Sequence, residues 1–142
     1  MFGKRVPVPR QVAWFGNPGV VYRYSGLDHE AKGWPASLEK LRSRISRCLG
    51  IQPDFALLNR YEDGAQYMGW HVDDEPSRGD HIASVSLGAA RRFLVRADDG
   101  PSTPLILEHG SLLVLHKQLP HCLPRTRKPS NIRINITFRS VA

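Results

Sequence analysis

From Ile132 to Arg139 apolar and polar residues alternate without a break. Ile132, Ile134, Ile136 and Phe138 would share one face of a strand, and Arg133, Asn135, Thr137 and Arg139 the other. A strand with one fully apolar face and two arginines on the other is either an edge strand facing water or a strand whose polar face lines an anion site. Phe55–Tyr61, Ile82–Leu87, Arg92–Arg96, Leu105–Leu107 and Ser111–His116 also read as short strands, and Gly, Pro and Asp clusters such as Asp98-Asp99-Gly100-Pro101 punctuate them. Many short strands separated by turn signals point to an all-β sandwich or jelly roll.

The first third of the chain is different. Short strand-like pieces at Val12–Phe15 and Val20–Tyr24 flank a Gly16-Asn17-Pro18-Gly19 turn signal. Pro35 then opens a helix that runs to about Leu49 and stops at Gly50. Leu38, Leu41, Ile45, Cys48 and Leu49 fall on one stripe, while Lys40, Arg44 and Arg47 lie off it as a solvated face. The expectation is a mainly β jelly roll braced by one scaffold helix.

At 142 residues, with 41% hydrophobic content, the chain is long enough for one domain with its own core. No apolar run approaches a bilayer span, so no membrane partner is expected. Prolines rather than an apolar stretch follow Met1-Phe2-Gly3-Lys4-Arg5, so no signal peptide is visible. Cys48 and Cys122 do not make a disulfide framework, and a reducing cytoplasm is the default. Twenty Lys and Arg against 13 Asp and Glu give a net charge of +7, which favours a polyanion, most simply nucleic acid. Inside this basic chain Asp73, Asp74 and Glu75 form an acidic cluster, for which a divalent cation is a local reason.

His71-Val72-Asp73 places an imidazole and a carboxylate on one side of an extended segment. His121 is the natural third ligand, with His116 its rival; His29, His81 and His109 read as surface or structural histidines. Two histidines and one carboxylate suit non-haem Fe(II), leaving positions for a bidentate co-substrate and dioxygen. Arg133 and Arg139, 12 and 18 residues beyond His121, fit this scheme. A dicarboxylate such as 2-oxoglutarate that chelates iron at its keto-acid end needs a cationic fork for its far carboxylate. Asn59 and Tyr61, on one face of their strand, could complete that pocket.

At these residues the chain resembles the AlkB family of Fe(II)- and 2-oxoglutarate-dependent nucleic-acid dealkylases, over nearly its whole length. The motifs that carry the resemblance are Asn59-Arg60-Tyr61-x-x-Gly64, His71-x-Asp73-Asp74-Glu75, Ile82-Ala83-Ser84-Val85-Ser86-Leu87-Gly88, His121-x-Leu123-Pro124 and Arg133-x-Asn135-x-Thr137-Phe138-Arg139. The resemblance implies a double-stranded β-helix (jelly roll) over residues 51–142, a scaffold helix over 34–50 and a nucleotide-recognition segment over 1–33. It implies Fe(II) bound by His71, Asp73 and His121, with 2-oxoglutarate and O2 as co-substrates. Asn59, Tyr61, Arg133, Asn135 and Arg139 would hold 2-oxoglutarate, with Thr137 near it. Asp74 and Glu75 would stand beside the substrate base and Tyr22 and Tyr24 line its pocket, while Phe2 would fill the gap left by a flipped nucleotide. Arg125-Thr126-Arg127-Lys128 reads as a phosphate contact or as a solvated run, so Arg127 and Lys128 join the substrate contacts.

The implied activity is oxidative demethylation of 1-methyladenine- or 3-methylcytosine-type bases in DNA. 2-Oxoglutarate would be decarboxylated to succinate, the N-alkyl carbon hydroxylated, and formaldehyde released. The same chemistry on RNA, or a nucleic-acid-binding protein with an impaired iron site, are the alternatives. The chain departs from the family in being shorter between Leu115 and His121 and in a short Ala97–Thr103 segment, acidic at Asp98 and Asp99, which carries over no strong double-strand preference. A monomer in the cytoplasm, nucleoid-associated if bacterial, completes the expectation.

Overall fold

The computed structural model describes residues 10–73, 75–97, 99–128 and 130–142; Phe2 and Asp74, expected near the substrate, lie outside them. Among the described residues eleven strands and one helix follow in order, beginning with β1 (Gln11–Gly16), β2 (Val21–Tyr24) and β3 (Leu27–Glu30), then α1 (Ala36–Leu49). After the helix come β4 (Phe55–Tyr61), β5 (Met68–His71), β6 (His81–Gly88) and β7 (Arg91–Val95). The chain closes with β8 (Thr103–Leu107), β9 (Ser111–His116), β10 (His121–Leu123) and β11 (Arg133–Arg139).

The strands pair antiparallel in a five-stranded sheet, β1-β4-β11-β6-β9, a four-stranded sheet, β5-β10-β7-β8, and the hairpin β2-β3. This is the jelly roll that the strand pattern implied. β11 is the central strand of the larger sheet, with Asn135 opposite Asn59 on β4 and Ser86 on β6. The edge-strand reading is therefore excluded, and the polar face of β11 is turned into the protein.

The outer face of the larger sheet is closed by α1. Leu38 and Ile45 pack with Ala56, Ala83, Val85, Ile136 and Phe138 into one buried cluster. Pro35, with its fixed φ, stands at the N-cap, and Gly50 ends the helix in the left-handed region at φ 66°, its N–H donating to Ser46 O. Two positions depart from expectation. Cys48, on the predicted stripe, is exposed, whereas Leu41, Ile45 and Leu49 face the sheet. Ile132 is 41% exposed, since the strand starts one residue later and the Ile132 carbonyl is occupied by Ala89 N–H at 3.0 Å.

The inner faces of the two sheets meet in a second cluster, in which Tyr61 packs with Phe93, Leu107, Leu115 and Leu123. The hairpin β2-β3, whose turn at Ser25 and Gly26 has φ of 51° and 75°, drives Tyr22 against Phe55 and Leu57. None of the described helical residues forms a helix long and apolar enough to cross a membrane.

Candidate metal centre and anion pocket

Strand pairing brings the histidines together. His71 ends β5 and His121 begins β10, and the two are direct partners in the ladder. Asp73 lies just past β5, held by its N–H on Lys117 O at 2.8 Å, within the turn that leads to His121. The short connection after β9 thus fixes two ligands at once, and Leu119 N–H closing on His116 O at 3.0 Å keeps it tight. One ligand atom from each of His71, Asp73 and His121 lies within 4.8 Å of the others.

The orientation of the rings decides what they offer. Nδ1 of His71 meets Gly69 O at 2.7 Å, and Nδ1 of His121 meets Leu119 O at 2.8 Å. A carbonyl oxygen only accepts, so each Nδ1 carries the hydrogen and each Nε2 presents a lone pair. His121 Nε2 lies 3.2 Å from Asp73 Oδ2 and His71 Nε2 4.0 Å from Asp73 Oδ1. Burial, opposed by the bond to Gly69, lowers the His71 pKa and keeps its ring neutral. Burial also opposes ionisation of Asp73, yet the neighbouring His121 and the Arg139 guanidinium, 3.5 Å from Oδ1, outweigh it and hold the carboxyl at about 2. Two bare nitrogens and a carboxylate converging on one point repel one another unless a cation joins them, and this donor set fits Fe(II).

The polar face of β11 forms the floor of the same pocket, which Asn59 and Tyr61 of β4 and His71, Asp73 and His121 also line. Arg133 is 2% exposed. Its Nη2 donates to Ser86 Oγ at 2.9 Å, its guanidinium lies 5.5 Å from the Tyr61 ring centroid, and its Nε has no partner. Among the described residues no carboxylate neutralises it, and burial pulls its pKa down to about 10. A buried fork with a free N–H is built for an anion that arrives from outside.

Arg139 has a different setting. It donates from Nη2 to Asp73 Oδ1 at 3.5 Å, from Nη1 to the Tyr22 hydroxyl at 2.9 Å and from Nε to Thr137 Oγ1 at 3.2 Å. Thr137 in turn donates to Leu57 O, and Asn135 to Ser84 Oγ and Val85 O. Asn59 accepts from Arg10 Nε at 2.8 Å, and Arg10 also donates to the Tyr24 hydroxyl. Every residue expected to hold 2-oxoglutarate therefore lines one pocket.

The substrate contacts are more dispersed. Tyr24 lines the pocket, whereas Tyr22 is 1% exposed, with its hydroxyl on Arg139 instead of facing an open cavity. Burial, offset in part by Arg139, raises the Tyr22 pKa, so its hydroxyl keeps its proton. Glu75 has a buried Oε2 without a partner. Arg127 and Lys128 are exposed on the loop after β10. His116, the rival ligand, is exposed, stands edge-on to His81 at 5.3 Å and accepts from Gln118 N–H. Ser84, Ser86, Arg10 and Arg91 were not foreseen as site residues, although both serines stand in a quoted motif where alternation puts them on the inner face.

Facing sheets with a two-histidine, one-carboxylate cluster at their mouth and a buried arginine beneath define a 2-oxoglutarate oxygenase site. The model of the 2OG-Fe(II) oxygenase superfamily matches residues 2–139. The chain is 40% identical over 156 residues to the DNA oxidative demethylase ALKBH2 of Homo sapiens, across 99% of this chain and 60% of that protein. It is 34% identical to the alpha-ketoglutarate-dependent dioxygenase alkB homolog 3 of Rattus norvegicus, across 95% of this chain and 51% of that protein. A solved structure described as that of OsALKBH1 superposes with a TM-score of 0.72 at 18% identity, over 97% of this chain and 82% of that one. The chain belongs to the 2OG-Fe(II) oxygenase superfamily, and within it to the AlkB family. It spans 56% of Bos taurus ALKBH2 and 60% of the human protein. Membership implies Fe(II), 2-oxoglutarate and O2.

Proposed function

We propose that this chain demethylates N-alkylated bases of the 1-methyladenine and 3-methylcytosine type in DNA, as a direct-reversal repair enzyme. The observation that carries the oxygenase chemistry is Arg133, a buried cation with an unpartnered N–H in the pocket that holds His71, Asp73 and His121. The relatives named DNA oxidative demethylase, together with the net charge of +7, support the substrate class. Iron bound by His71, Asp73 and His121 would supply the oxidation that couples 2-oxoglutarate decarboxylation to hydroxylation of the N-alkyl carbon.

The protein's own groups prepare that chemistry. The Gly69 and Leu119 carbonyls aim both Nε2 atoms at the metal position. Arg133 and Tyr61 receive the far carboxylate of 2-oxoglutarate, and Ser86 Oγ holds the guanidinium in place. Arg139, kept against Asp73 by Tyr22 and Thr137, places a second cation beside the ligand cluster. Met68, Ile82, Phe93 and Leu115 line the remainder and exclude water. Glu75, with an unsatisfied oxygen, favours a base that alkylation has made cationic. Residues 1–33 serve as the nucleotide-recognition segment, with Tyr24 at the pocket and Arg127 and Lys128 on the strand's phosphates. We place it in the cytoplasm, nucleoid-associated if bacterial, and acting as a monomer; the two free cysteines fit a reducing compartment.

Anaerobic Fe(II) loading followed by 2-oxoglutarate turnover, with and without methylated oligonucleotides, tests the assignment. Formaldehyde released with methylated DNA supports it, and release with methylated RNA alone would move the substrate to RNA. Turnover indifferent to any nucleic acid would remove the substrate claim, and absence of iron binding would leave only a nucleic-acid-binding protein. Asp73→Ala should abolish turnover while leaving oligonucleotide binding largely intact, and Arg139→Ala should raise the co-substrate requirement more than it weakens DNA binding.

A further inference from the structure

The motif that begins at Asn59 runs from the cofactor-pocket strand into a loop that the chemistry above does not use. Its Gly64 is buried, and a Cβ there would stand 2.4 Å from Thr126 Cγ2, 2.9 Å from Thr126 O and 3.1 Å from Lys128 O. Thr126 N–H donates to Gly64 O at 2.9 Å. Beneath this contact lies Arg91, 3% exposed. Its Nη2 donates to Pro124 O at 2.8 Å and Gln66 O at 3.0 Å, and its Nη1 to Asp63 O at 3.3 Å. One buried guanidinium thus ties three carbonyls from two loops. It also lies 5.8 Å from the centroid of the Tyr61 ring, the ring that Arg133 approaches at 5.5 Å. On the same loops, Arg125 lies 4.0 Å over the Tyr67 ring.

We propose that Gly64 and Arg91 are positioning residues that seat the basic loop Pro124–Lys128 against the Tyr61 wall of the cofactor pocket. The seat holds Arg127 and Lys128 at a fixed place relative to the metal centre, so the substrate strand meets cations that are already ordered. This rests on the nucleic-acid reading given above. Ordering long side chains in advance removes part of the loss that binding would otherwise bring.

The test uses the full chain, Gly64→Ala, Arg91→Lys and Arg127→Ala, with an unmethylated single-stranded oligonucleotide as the probe. Gly64→Ala introduces the clash without touching any pocket residue, and Arg91→Lys keeps the charge but cannot span three carbonyls. Both should speed exchange of the Thr126 amide and weaken oligonucleotide binding about tenfold, the ordering of one or two long side chains. The salt slope should fall by about 0.7 for each phosphate of the single strand that is no longer neutralised, which global destabilisation alone would not produce. In the Gly64→Ala background, Arg127→Ala should weaken binding less than it does alone. Fast Thr126 exchange in Gly64→Ala with affinity and salt slope unchanged would overturn the proposal. If the unaltered protein binds no oligonucleotide, the nucleic-acid reading fails and takes the proposal with it.

Discussion

Arg133 is 2% exposed and no carboxylate of the described residues neutralises it, and that has a consequence for stability as well as for binding. An unpaired buried charge destabilises the folded state until its ligand arrives. Arg133→Met should therefore abolish 2-oxoglutarate binding yet stabilise the cofactor-free protein by about 1 kcal/mol, seen as a melting temperature about 3 °C higher. A fall of several degrees would mean that Arg133 is structural. Tyr22→Phe removes the acceptor on which Arg139 Nη1 rests, with little change in packing. A hydrogen bond to a charged group contributes about 1.5–3 kcal/mol, so the 2-oxoglutarate KM or kcat should worsen at least tenfold. Unchanged kinetics would show that Asp73 and Thr137 hold Arg139 alone. At this scale the sequence announces charge and type well, but partnership poorly. Arg133 and Arg139 stand out through alternation, whereas Arg91 looks like any surface arginine until its three carbonyl partners are seen. The motif His121-x-Leu123-Pro124 favoured His121 over His116 only by resemblance; the ladder opposite His71 supplies the physical reason.

Elements with strong punctuation were legible. Pro35 and Gly50 bound α1, and β4 and β9 have the predicted limits, because each is a run with clear turn chemistry at its ends. β3, β5 and β10 escaped notice, since three or four residues carry too little periodicity, and β10 owes its conformation to its neighbours β5 and β7. The place of β11 was also hidden. Alternation reveals two faces but not what covers them, and only the order of the sheet shows that both are buried. Gly88 reports on that central position, because it pairs with Arg133 and an added Cβ would stand 2.3 Å from Ile132 O at a φ of +87°. Gly88→Ala should cost about 1–3 kcal/mol of stability and displace Arg133 enough to weaken 2-oxoglutarate binding. Unfolding and ligand titration on one preparation would check both, and an unchanged ligand affinity would separate the turn from the pocket.

At the scale of the molecule, two sheets supply different halves of one site: the smaller brings both histidines, the larger brings the arginines. Ligands that bridge the halves should therefore act as clamps. Fe(II) with 2-oxoglutarate at 100 times its Kd should raise unfolding stability by about 2.7 kcal/mol, and chelation should reverse it. In Arg133→Met only the iron-dependent part should remain, and an equal shift in both proteins would contradict the divided site. The carbonyls of Gly69 and Leu119, each two residues before the imidazole it steers, have a longer reach. Because peptide groups aim the two rings, mutation of the surrounding side chains can redraw the substrate chamber without retuning the metal. The aim of the two rings then depends on preserving two short stretches of backbone, and descendants of this chain can change what enters the chamber while keeping how the histidines are presented to the metal.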